Sequence, residues 1–112
     1  GAATAALAKR TGASSIIALT YSGYSSEILS ACRPAAQIIA ATPSHETARR
    51  LRLHWGVTPL VCQRNVDMTV AVDDAFNAAL DAGLVQFNEL VVVCASRENI
   101  RSAADTIWVH NA

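Results

Sequence analysis

The segments Ile16-Ile17-Ala18-Leu19-Thr20 and Ile38-Ile39-Ala40-Ala41-Thr42 are near copies set 22 residues apart. Each apolar run is too short for a helix and rich in isoleucine, the pattern of a strand covered on both faces. Each run stops at a threonine, beyond which helical spacing begins. Two strand and helix units in succession imply a parallel sheet with helices packed against it.

The rest of the chain fits this scheme. Residues 2–10 are alanine-rich, with Leu7 as the one large apolar group, and Gly12 stands where a helix would stop. After the first strand, residues 15–20, a helix should start at Tyr24 or Ser25. It would bury Ile28, Leu29 and Cys32 and end before Pro34, because the residue preceding proline avoids helical angles. A second strand, residues 37–42, leads to Thr42-Pro43, read as a threonine cap with proline at the first helical position. Ala48, Leu51 and Trp55 then face the sheet while Arg49, Arg50 and Arg52 form a solvated cluster or a subunit contact. Gly56 ends that helix. Residues 57–62 form a third strand, placed at or near an edge by Pro59.

Between residues 67 and 82, Met68, Val72, Ala75, Phe76 and Ala79 fall at helical spacing, and Asp67, Asp73, Asp74 and Asp81 read as a solvated surface. Gly83 closes this helix. Residues 90–95 are a fourth strand and 106–110 a fifth. Only ten residues, 96–105, separate these two, fewer than a parallel crossover needs, so the last strand is expected to be antiparallel. The expected fold is a three-layer α/β domain with a five-stranded mixed sheet of order 3-2-1-4-5 flanked by helices. In that order strand 1 is the switch point, where ligands of open parallel sheets gather at the carboxyl ends.

The loop at that end is unusual. In residues 20–26, Thr-Tyr-Ser-Gly-Tyr-Ser-Ser, every residue except Gly23 carries a hydroxyl. Helix capping alone accounts for some of these groups. A preformed anion site accounts for the excess, because free amides and the positive end of the helix dipole meet there. Nine Lys and Arg balance nine Asp and Glu, so no strong field draws nucleic acid, an anionic membrane or a polyacidic partner. Any bound anion must be held by local geometry.

Several residue patterns resemble the C-terminal domain of pyruvate kinase. These are the residue strings 16–26 and 32–42, then Thr47-Ala48-Arg49, Trp55-Gly56-Val57-Thr58-Pro59, Asn88-Glu89-Leu90-Val91-Val92-Val93 and Asp105-Thr106-Ile107-Trp108-Val109-His110. Their order and spacing carry the resemblance, which runs nearly end to end. It implies a regulatory domain that binds an effector and joins subunits, with catalysis in a separate barrel domain. Residues 1–112 would then be a single domain, a fragment or relative of a longer cytoplasmic enzyme. The isolated chain would carry no catalytic residues and no cofactor. Its parent would transfer phosphate from phosphoenolpyruvate to ADP, using magnesium and potassium. The resemblance assigns the effector phosphate to Thr20, Ser22, Gly23, Tyr24, Ser25 and Ser26, with Arg97 or Arg101 as counter-charge. The family's second effector element is a glycine-rich loop before the last strand, whereas residues 96–105 hold no glycine. A sugar phosphate or nucleotide monophosphate is expected rather than the usual bisphosphate grip. The alternative is an assembly module that has lost its effector site, and a homo-oligomer joined through the last strand, with Trp108 at the interface, is expected either way.

Other chemistries lack their residues. The three cysteines, Cys32, Cys62 and Cys94, are widely spaced and suit the small core positions of a reduced cytoplasmic protein, not a zinc site. His45, His54 and His110 have no nucleophile placed beside them by sequence, and no metal site is expected. There is no Gly-Lys-Ser/Thr phosphate loop and no dinucleotide glycine fingerprint. The low charged fraction, 16% against 52% hydrophobic residues, leaves apolar surface for an oligomer or neighbouring domain. Gly1 already lies within helical pattern, as expected for part of a longer protein.

Overall fold

The computed structural model describes residues 2–20, 23–32, 34–63, 67–86, 89–95 and 106–111. Helices and strands alternate: α1 (Ala2–Thr11), β1 (Ser15–Leu19), α2 (Tyr24–Cys32), β2 (Gln37–Thr42), α3 (His45–Leu51), β3 (Val57–Val61), α4 (Met68–Asp81), β4 (Leu90–Ala95) and β5 (Thr106–Asn111). The strands lie in the order β3-β2-β1-β4-β5. β3, β2, β1 and β4 are mutually parallel, and β5 pairs antiparallel with β4. The fold is thus α/β, a parallel sheet flanked by helices.

The repeat in the sequence is the pairing in space. Ile16 lies opposite Ile38, Ile17 opposite Ile39 and Ala18 opposite Ala40, so the 22-residue offset is also the register of β1 on β2. A shift by one residue would turn every isoleucine to the wrong face. Ile17, Ile39, Val91 and Val93 pack on α4 through Val72, Ala75, Phe76 and Ala79. Ile16, Ala18, Ile38, Val92 and Cys94 pack on the opposite face with Ala8 of α1 and Leu29 of α2. These sheet residues are all at most 1% exposed, and each large one contributes about 1.5–3 kcal/mol. Among the described residues no helix is long and apolar enough to cross a membrane.

The structure corrects four local expectations. The helix after β2 begins at His45, not Pro43. Ser44 is its cap, with Oγ accepting from the Thr47 amide at 3.1 Å. Thr42 instead ends the strand, its Oγ1 accepting from the Ser44 amide at 3.2 Å. Trp55 lies beyond the end of α3 and is 47% exposed rather than turned to the sheet. Cys32 is exposed, Cys62 half-buried and only Cys94 is a core residue. The α2 error has a physical cause. That helix buries Ser26, Leu29 and Ser30, while Ile28 is only half-buried. Small hydroxyl residues let the helix approach closely, so the buried stripe is not the apolar stripe, and Cys32 falls on its flank.

Candidate functional site

β1 lies at the centre of the sheet, between β2 and β4. Its carboxyl end therefore opens where the chain's path reverses direction across the sheet, the place where ligands of such folds collect. Thr20 stands at that end and is 7% exposed. Its amide donates to Ala41 O at 2.9 Å, extending the pairing with β2. Its side chain is also engaged, Oγ1 accepting from the Gly23 amide at 2.8 Å. The two threonines of the sequence repeat thus do matching work, each closing its strand by accepting a backbone N–H shortly downstream.

Gly23 is the residue that turns the chain into α2. Its φ is +90°, where side chains are disfavoured. A Cβ there would also lie 3.0 and 3.2 Å from the two δ-carbons of Leu51 and 3.3 Å from Arg50 Nη2. The Gly23 carbonyl accepts from the Glu27 amide at 3.0 Å, the first bond of the helix. The amides of Tyr24, Ser25 and Ser26 consequently have no acceptor within α2 and carry the positive end of its dipole.

The structure brings together Thr20, Gly23, Tyr24, Ser25 and Ser26 at one strand-to-helix turn. The Ser26 side chain is fully buried and its Oγ has no hydrogen-bond partner. Ser22, Arg97 and Arg101 lie outside the described residues, as does the segment 96–105.

Three residues not assigned to the site from sequence meet at its border. Arg50 Nη1 donates to Glu27 Oε1, which ties α3 to the first turn of α2. His54 Nε2 lies 3.5 Å from the same oxygen. Ser30 Oγ donates to Trp55 O at 2.7 Å and fastens α2 to the turn after α3. No local signal marks Arg50 or His54, because the partner is more than 20 residues away in sequence.

Elsewhere the described residues bring no three His, Cys, Asp or Glu side chains together as a metal set. Burial pushes the Cys94 thiol up to about 11, against a smaller opposing effect of a hydrogen bond with Thr4. Burial, and then the charge of Asp74, also raise Cys62. Both thiols are kept protonated, the opposite of an activated nucleophile. The arrangement suits binding at a backbone turn.

Comparison with known proteins agrees in extent as well as kind. The family model described as "Pyruvate kinase, alpha/beta domain" matches residues 1–110. A pyruvate kinase of Clostridium acetobutylicum is 40% identical over 83 residues, covering 74% of this chain and 18% of that protein. A pyruvate kinase of Staphylococcus aureus is 34% identical over 95 residues, covering 85% of this chain and 16% of that protein. The chain therefore spans less than a fifth of the length of these curated relatives. With the family model matched almost end to end on a parallel sheet flanked by helices, the chain belongs to the pyruvate kinase alpha/beta domain family.

Proposed function

We propose that this chain is the regulatory domain of a cytoplasmic pyruvate kinase or a close relative, and that it binds the phosphate of a small metabolite at residues 20–26. The observation that carries the proposal is the turn itself. Thr20 fixes the Gly23 amide at the end of the central strand, and the first amides of α2, which have no acceptor within their own helix, follow immediately. The helix dipole favours an anion there by about 0.3–1 kcal/mol. Each hydrogen bond to a charged oxygen adds about 1.5–3 kcal/mol. Two or three such bonds, less the cost of association, correspond to a dissociation constant on the order of 1 mM or somewhat tighter.

Phosphoryl transfer from phosphoenolpyruvate to ADP belongs to the whole enzyme, and so do its magnesium and potassium. This chain's residues take no catalytic part. The edge strand β5 is the proposed contact between copies. Calorimetric titration with sugar phosphates and AMP tests the binding proposal. Saturable heat in the wild type, lost or weakened in Ser22→Ala, supports it. No response in either protein would leave the second reading, a domain that serves assembly alone, for which the glycine-free segment 96–105 argues.

A further inference from the structure

The turn that joins α3 to β3, residues 52–56, carries Leu53 at 88% exposure and Trp55 at 47%. Its own backbone holds it loosely. The amides of Leu53, His54 and Val57 donate within the segment at 3.3, 3.1 and 3.4 Å, against about 2.9–3.0 Å for a well-formed bond. The tighter contacts come from α2. Ser30 Oγ, on a residue that is 6% exposed, donates to Trp55 O at 2.7 Å. About one helical turn earlier, Glu27 Oε1 accepts from Arg50 Nη1 and lies 3.5 Å from His54 Nε2. At the start of the helix Gly23 stands against Leu51, where a Cβ would lie 3.0 Å from the nearer δ-carbon. Positions 23, 27 and 30 follow at spacings of four and three, one stripe along α2, and all three meet residues 50–55.

We infer that this stripe is a latch: α2 holds the exposed turn in place, so that a shift of α2 at the carboxyl end of β1 moves the Leu53 and Trp55 surface at the amino end of β3. The helix can join these two ends of the sheet because it runs from one to the other. It starts after β1 and leads into β2, and the stretch from 23 to 30 spans about 10 Å along its axis. The contacts at Glu27 and Ser30 are polar, and they orient the turn without burying it. Such a segment opens locally at far less cost than the whole fold. The contacts differ in strength. The Ser30 bond starts from a buried hydroxyl and is shielded from water, whereas the Arg50 and Glu27 side chains are 48% and 34% exposed and their pair is screened. Ser30 is therefore the pin of the latch and Glu27 its support. Neither role depends on the phosphate site.

Amide hydrogen exchange of the nitrogen-labelled protein, with no ligand added, tests the latch. Ser30→Ala removes the pin and speeds exchange at Leu53, His54 and Val57 about five- to tenfold. The amides of Ala71 and Ala82, bonded at the two ends of α4, keep their wild-type rates. Gly23→Ala, acting through Leu51, speeds the same three turn amides about threefold or more, while Gly12→Ala leaves them unchanged. Glu27→Gln, a surface change, speeds them about two- to fourfold and decides the matter if Gly23→Ala does not fold. Turn amides that are unchanged in Ser30→Ala, or that rise no more than Ala71 and Ala82, would overturn the latch. A response to Ser30→Ala alone, with Gly23→Ala no different from Gly12→Ala and Glu27→Gln silent, would overturn the link to the carboxyl end of β1.

Discussion

Gly23→Ala separates two reasons for a glycine at the mouth of the site. At φ +90° an alanine is strained by about 1–2 kcal/mol. Its Cβ would also press on Leu51, whose δ-carbons lie 3.0 and 3.2 Å away, well inside the usual contact of about 3.5–4.0 Å. Leu51 is fully buried, so it yields by leaving its rotamer, at about 0.5–1.5 kcal/mol. The stiffer unfolded chain offsets about 0.4–1 kcal/mol. The expected net loss is about 1–3 kcal/mol. Gly12 provides the control. Its φ is +70° and a Cβ there would meet nothing within 4 Å, so Gly12→Ala carries the backbone strain without the clash. Urea unfolding of the two variants at pH 7 should place Gly23→Ala about 1 kcal/mol below Gly12→Ala, at equal slopes. Equal losses would refute the claim that Leu51 closes against Gly23.

Ser44→Ala removes the side-chain acceptor for the Thr47 amide and should cost about 0.5–2 kcal/mol, whereas Pro43→Ala, outside the helix, should cost less. Comparing their unfolding midpoints checks the assignment of the cap. Cys94 gives a pH dependence with a definite sign. Its folded value, about 11, lies above the ordinary 9.0, so the folded state holds its proton where the unfolded state has lost it. Stability is fully present below about pH 9 and falls by about 2–3 kcal/mol as pH rises towards 11. Cys94→Ala should flatten that slope in urea midpoints measured across the range. Under native conditions at pH 8 a thiol reagent should modify the exposed Cys32 first, Cys62 more slowly, and Cys94 only on unfolding.

The four parallel strands were legible because each is a short apolar run and two of them repeat. The 22-residue offset held both the strand type and, through Ile16 opposite Ile38, the register. α4 was legible for a similar reason, since Val72, Ala75, Phe76 and Ala79 repeat at helical spacing and all are buried. α2 was not. Its inner face is built on Ser26 and Ser30, and close packing of small hydroxyl residues leaves no apolar stripe to read. The cap of α3 was misplaced because Thr42 and Ser44 both suit a helix start, and Thr42 is drawn into the strand by its pairing with Val61. At the candidate site, Thr20 and Gly23 stood out by composition and place. Arg50 and Glu27 did not, because 23 residues separate them and only the packing of α3 beside α2 joins them.

The central claim is that a phosphate sits on the backbone at residues 20–26. Amide shifts of the nitrogen-labelled protein, followed during titration with glucose 6-phosphate, test it most directly. Saturable shifts are expected at Gly23, Tyr24, Ser25 and Ser26, with little change at Gly12 or Gly83. Shifts that are absent, or that scatter over the surface without saturating, would contradict it.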